Sequence, residues 1–117
     1  FLSDGPVYAN VDKEQWSRII HNLVKNALQS IPEGRIPEIE VRVRKTFGKG
    51  IITVSDNGTG VSDEMKDHIF EPNFTTKSSG MGLGLAMVRN LIQNFGGTIS
   101  FENQEKGASF TITIPTQ

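Results

Sequence analysis

The residues able to do chemistry in this chain fall into three groups. Asn22 and Asn26 stand four positions apart. On a helix, that spacing puts them one turn apart on a shared face. Each can offer an amide carbonyl oxygen to a hard cation or a ligand hydroxyl. Read alone, the pair is accounted for by two solvated asparagines on an outer helix face. The second group is the turn Asp56-Asn57-Gly58-Thr59-Gly60. Glycines let a ligand approach the backbone closely, and a carboxylate beside them can accept a hydrogen bond from an exocyclic amine such as that of adenine. Asn-Gly is also a favoured hairpin turn, although the residues that follow read as helical. A calcium-loop reading fails, because Gly58 and Gly60 stand where oxygen ligands are needed. The third group is Gly80-Met81-Gly82-Leu83-Gly84-Leu85. Three glycines here open a helix, whose free N–H groups and dipole favour phosphate. Close helix packing explains such glycines equally well. Neither the dinucleotide fingerprint nor the Gly-Lys-Ser/Thr phosphate loop fits.

These groups must be positioned by secondary structure, and the periodicity shows which. Asp12 reads as an N-cap with Gln15 at the capping-box position. Apolar residues then recur at Trp16, Ile19, Ile20, Leu23, Val24, Ala27, Leu28 and Ile31, which is the helical pattern. Pro32 and Gly34 stop it. Ile39, Val41 and Val43 alternate with charged residues, as in a strand with one buried face. Phe47 to Gly50 is a turn, and Ile51 to Val54 a more buried strand. Ser62 can cap a short helix reaching Phe70, and Glu71 to Gly80 reads as a surface loop. A second long helix begins at Gly82 or Leu83, buries Leu85, Val88, Leu91 and Ile92, and stops at Gly96-Gly97. Strands are expected at Val7 to Ala9, Thr98 to Phe101 and Ser109 to Ile114. The mixture of hairpins and long helices predicts an α+β fold, a two-layer sandwich with helices on one face of a mixed sheet.

The 117 residues amount to one domain. The net charge of -1 points to no nucleic-acid or membrane surface. With no cysteine there is no disulfide, thiolate metal site or cysteine nucleophile. Two histidines, His21 and His68, are too few and too far apart to suggest a metal site. No apolar run approaches a membrane span. The start at Phe1 reads as a piece trimmed from something longer.

Taken in order, the groups are more specific than any is alone. The sequence resembles the ATP-binding catalytic domain of sensor histidine kinases, within the superfamily of gyrase, heat-shock chaperone and mismatch-repair ATPases. The N box is matched by His21-Asn-Leu-Val-Lys-Asn-Ala27 and the first glycine box by Asp56-Asn-Gly-Thr-Gly60. The F box is matched by Phe70-Glu-Pro-Asn-Phe-Thr-Thr-Lys77 and the second glycine box by Gly80-Met-Gly-Leu-Gly-Leu85. The resemblance runs from about Asn10 to Pro115 and implies a Bergerat-type ATP-binding fold, with a mostly antiparallel sheet, over residues 1–117. It implies that Asn26 binds Mg²⁺, with Asn22 near the metal and the phosphates. Asp56 would recognise the adenine amine, with Gly58 and Gly60 shaping the pocket. Lys77 would reach a phosphate from a mobile lid, and together with Asn22 it is the candidate catalytic residue. Gly80, Gly82, Leu83 and Gly84 would pack lid and helix start against the phosphates, while Phe70 and Phe74 would anchor the lid.

Two details narrow the expectation. The ATPases of the superfamily hold a general-base glutamate where this chain has Asn22. A neutral amide cannot take a proton from water, so hydrolysis should be slow and transfer to a partner residue is favoured. The dimerisation domain with its acceptor histidine is absent from these residues. The resemblance therefore implies three partners or contexts: that domain, a response regulator downstream, and a cytoplasmic setting whose parent protein can be anchored in the inner membrane. The fragment itself is expected to be monomeric, without a nucleic-acid partner. An anti-sigma-factor type of serine kinase and a regulatory nucleotide-binding module share the pocket and stand as alternatives.

Overall fold

The computed structural model describes residues 2–3, 12–64, 66–71, 84–105 and 107–116. Asp12 caps the first helix: its Oδ1 accepts the Gln15 backbone N–H at 3.0 Å, satisfying one of the donors a helix start leaves orphaned. Helix α1 (Lys13–Gln29) buries Ile19, Leu23 and Ala27, the i, i+4, i+8 line of the predicted apolar stripe. The stripe is wider than the buried line, and Leu28 stays half exposed. Helix α1 ends at Gln29 rather than Ile31, with Ser30 as its C-cap. Pro32 follows two residues later and disfavours helical conformation in the residue before it.

Strands β1 (Leu2–Ser3), β2 (Ile39–Thr46), β3 (Lys49–Asp56), β4 (Thr98–Gln104) and β5 (Gly107–Pro115) form one sheet. Their order is β1-β2-β3-β5-β4. Strand β1 runs parallel to β2, and the other pairings are antiparallel. The fold is the expected α+β sandwich with a mixed, mostly antiparallel sheet. Side chains alternate between faces, so the register stacks the core in rows across the sheet. Val43, Ile52, Ile112 and Ile99 form one row, and Val41, Val54, Phe110 and Phe101 the next. The rings of Phe101 and Phe110 lie 5.1 Å apart. Full burial, as at Ile52, Val54, Phe110 and Ile112, stabilises the fold by about 1.5–3 kcal/mol per side chain. Against these rows pack Ile19 and Leu23 of α1 and Val88 and Ile92 of α2 (Gly84–Asn94).

Helix α2 stops as the glycine pair requires. The Gly97 N–H bonds to the Ile92 carbonyl at 2.9 Å and the Gly96 N–H to that of Gln93 at 3.0 Å, the two bonds of a Schellman cap. One expectation needs amendment, and two others fall on residues outside those described. The segment after Ser62 forms a 3₁₀ turn at Lys66–His68 instead of a short α-helix, since one turn gains too little to offset helix nucleation. The Val7 to Ala9 strand lies outside the described residues, and the edge strand seen is Leu2–Ser3. Among the described residues α2 starts at Gly84; the alternative starts, Gly82 and Leu83, lie outside them.

Candidate functional site: the turn after the central strand

A third row of the sheet follows the two apolar ones: Ile39, Asp56, Ala108 and Asn103. The two-residue period that buries Ile52 and Val54 thus carries Asp56 onto the same, helix-facing side. Asp56 is 8% exposed. A carboxylate this buried must be hydrogen-bonded. Its Oδ1 accepts the Gly58 backbone N–H at 2.8 Å and lies 3.3 Å from the Ser30 hydroxyl, which can donate to it. The same hydroxyl reaches the Ala27 carbonyl at 2.7 Å.

The turn is held from three directions. On the helix side, the Thr59 N–H donates to the Ser30 carbonyl at 3.1 Å. Gly58 sits so close to the end of α1 that a Cβ would fall 2.1 Å from Ser30 Oγ and 2.9 Å from Asp56 Oδ1. Only glycine fits that approach. On the β4 side, Asn103 Oδ1 accepts the Val61 N–H at 2.9 Å, and its Nδ2 donates to the Val61 carbonyl. Gly60, at φ +71, faces the same Asn103 oxygen, which would lie 2.7 Å from a Cβ. On the third side the α1–β2 linker is tied down by Arg35 and Asn57.

Asn22 and Asn26 flank the buried line of α1 and are themselves half-buried, so the solvated-face reading does not hold. The Asn22 Nδ2 donates to the Arg18 carbonyl at 2.8 Å. Asn22, Asn26 and Ser30 succeed one another at i, i+4 and i+8, hence along one face. That face leads to Asp56 through Ser30. At 1.5 Å per residue, Asn22 stands about 12 Å along the axis from Ser30. The asparagines are thus one end of a polar track and Asp56 is the other.

Lys77, Gly80, Gly82 and Leu83, with Phe74, lie outside the described residues; Gly84 is the first residue of α2. Phe70 packs edge-on against Phe110 at 6.1 Å, with the Arg89 guanidinium 5.6 Å above its ring. Phe70 thus packs on the core, and the lid it was expected to anchor lies outside the described residues. His68 stays exposed, and its Nδ1 donates to Glu71 Oε1 at 2.8 Å. That hydrogen bond first, and the Glu71 charge second, raise the imidazole above its ordinary 6.5.

Ser30, Arg35 and Asn103 escaped the sequence reading. Ser30 carried a usable signal, being one turn beyond Asn26. Arg35 and Asn103 carried none, since each meets the turn only through the folded chain. An open cavity borders Arg35, Asp56, Asn57 and Thr59, together with Ser55 and Gln104. Ser55 pairs with Glu40 and Ser109 on the sheet face away from the helices, so this cavity lies behind the turn. The Asp56 carboxylate points the other way, toward α1. Among the described residues no group of three or more His, Cys, Asp or Glu could hold a metal ion, and no helix is long and apolar enough to cross a membrane.

Comparison with known proteins identifies the family of the chain and its fold. Residues 11–117 match the family of histidine kinase-, DNA gyrase B- and HSP90-like ATPases. The chain is 38% identical over 116 residues to sporulation kinase D of Bacillus subtilis, covering 98% of this chain and 22% of that protein. It is 42% identical over 106 residues to the sensor histidine kinase ZraS of Escherichia coli, covering 89% of this chain and 22% of that protein. The chain therefore spans about a fifth of the length of these curated relatives. The solved catalytic domain of the histidine kinase ThkA superposes with a TM-score of 0.87 at 33% identity, over 98% of this chain and 76% of that one. A second structure of ThkA, in complex with the response regulator TrrA, superposes with a TM-score of 0.81 at 30% identity, over 98% of this chain and 33% of that one. The chain corresponds to the catalytic domain of such kinases and belongs to the family of histidine kinase-, DNA gyrase B- and HSP90-like ATPases.

Proposed function

We propose that this domain binds Mg-ATP and donates its γ-phosphoryl group to a histidine on a separate dimerisation domain, in a two-component signalling protein that goes on to phosphorylate a response regulator. One observation carries the reading: a buried carboxylate, oriented by the Gly58 N–H, stands at one end of a polar helix face that bears two asparagines at the other. The second oxygen of Asp56 would accept the adenine amine, and Gly58 and Gly60 would let the base lie against the backbone. Asn26 and Asn22 would meet the metal and phosphates. Amide oxygens suit magnesium, which keeps several waters and takes few protein ligands beside the phosphates. Gly84, at the start of α2, would face phosphate with free N–H groups. Lys77, Gly80, Gly82 and Leu83 would complete the phosphate end. When bound, Mg²⁺ neutralises charge on the transferring phosphoryl group.

In the transfer itself, a neutral imidazole nitrogen attacks the γ-phosphorus, the bond to the β-phosphate oxygen breaks, and ADP leaves. No base on this domain is needed for that attack. Attack by water does need one, and Asn22 cannot supply it. The ThkA complex with its response regulator shows a relative of this domain in a two-component assembly.

The test is to mix the chain with ATP labelled at the γ-phosphate, alone and with the upstream domain of its own protein. Acid-labile label on a histidine of that domain is expected, with little free phosphate from the chain alone. Rapid phosphate release by the chain alone would instead make it an ATPase. Acid-stable label on an added protein would make it a serine kinase.

A further inference from the structure

After Asp56 the chain leaves the β3–β5 ladder, so the strand no longer sets the position of Gly58. Beside the Thr59 N–H bond to the Ser30 carbonyl, two side chains do so. Asn57 turns its side chain to the α1–β2 linker and bonds both ways: its Nδ2 donates to the Ile36 carbonyl at 2.9 Å, and its Oδ1 accepts the Glu38 N–H at 2.9 Å. Arg35 answers from the linker. Its Nη1 donates to the Asn57 carbonyl at 2.6 Å and lies 3.3 Å from that of Gly58. The linker needs such ties, because residues 33–38 are all exposed and Ile36 buries almost nothing. A segment without buried apolar contacts opens easily.

We propose that Asn57 and Arg35 are positioning residues for base recognition, a four-bond clamp that fixes the Gly58 peptide and, through its N–H, the direction in which the Asp56 carboxylate points. This rests on the reading of Asp56 as the adenine acceptor. All four clamp bonds are made within the chain. The clamp acts at the base end of the site, while Asn22 and Asn26 stand about 12 and 6 Å farther along α1 from Ser30. Loss of the clamp therefore weakens recognition of the base and leaves the phosphate end as it was.

Calorimetry of the full chain with Mg²⁺ and either ATP or inorganic tripolyphosphate separates the two ends. Asn57→Ala is expected to weaken ATP about tenfold, the scale of one lost hydrogen bond to a charged group, with tripolyphosphate affinity unchanged. Arg35→Ala should do the same to a smaller degree, and Arg35→Lys should recover part of the loss. The double variant should lose less than the product of the single losses, because both residues hold one turn. Unchanged ATP affinity in Asn57→Ala, or equal losses for ATP and tripolyphosphate, would overturn the clamp. If Asn57→Ala does not fold, Arg35→Ala, altered only at an exposed side chain, decides by the same criterion. Asp56→Asn is measured alongside. Unchanged ATP affinity there would remove the adenine reading itself, and the clamp with it; a loss there with none in Asn57→Ala would overturn the clamp alone.

Discussion

At the scale of single residues, the turn after β3 works by close approach. Gly58 and Ser30 share space that a methyl group would occupy, so Gly58→Ala must push the turn away from α1. Overpacking of this kind costs about 1–3 kcal/mol. It should also cost ATP affinity, since the Gly58 N–H would no longer orient Asp56. Thermal unfolding and calorimetry on that variant check both effects; unchanged stability would mean the turn is looser than the 2.1 Å approach requires. His68 offers a second check. Its folded pKa lies above 6.5 because Glu71 accepts its hydrogen bond. The pair's contribution is therefore complete below the pH at which the unfolded imidazole titrates, and it fades as pH rises through the folded value. Glu71→Gln should bring the His68 titration, followed by NMR, back toward 6.5. A titration unmoved by that change would mean that Glu71 is not the cause.

At the scale of elements, the β2–β3 hairpin carries a local conflict. Phe47 and Gly48 form its two-residue turn, both with positive φ, at 41° and 75°. Asn-Gly is the pair that suits such a turn. Phe47 is fully exposed, so no packing offsets a left-handed backbone that costs a residue of its kind roughly 1–2 kcal/mol. Phe47→Asn should relieve part of that cost. A gain of about 1 kcal/mol corresponds to roughly 4 °C in Tm for a domain of this size. ATP affinity should not change, because the hairpin tip lies at the end of β3 opposite Asp56. A lowered Tm would show that the Phe47 ring stabilises the fold in some way other than by burial.

At the scale of the whole molecule, binding and folding are linked. A ligand held between the end of β3 and the face of α1 binds only the folded chain. At about a hundred times its dissociation constant, Mg-ATP should add roughly 2.7 kcal/mol of stability. GTP should add much less, because the Asp56 carboxylate suits an amine and repels the guanine carbonyl. Equal shifts of Tm with the two nucleotides would contradict the base assignment.

The sequence by itself determined the parts whose cause is local. The Asp12 cap, the buried line of α1, the alternation of β2 and the glycine stop of α2 each depend on residues within a few positions of one another. The order of boxes from Asn22 to Gly84 pointed to the family for the same reason, as each box is a short contiguous run. The third-row position of Asp56 was not legible in the sequence, where the strand reads as ending at Val54; the structure carries β3 on to Asp56, and the period that buries Ile52 and Val54 continues through it. Only the tertiary structure decided what surrounds that carboxylate. Ser30, Arg35 and Asn103 reach the turn because α1, the linker and β4 converge there, and convergence depends on strand register and helix docking. Neither leaves a periodic trace in the residues concerned. The half-burial of Asn22 and Asn26 has the same origin: helical spacing shows that they share a face, and only packing sets how far that face is turned into the protein.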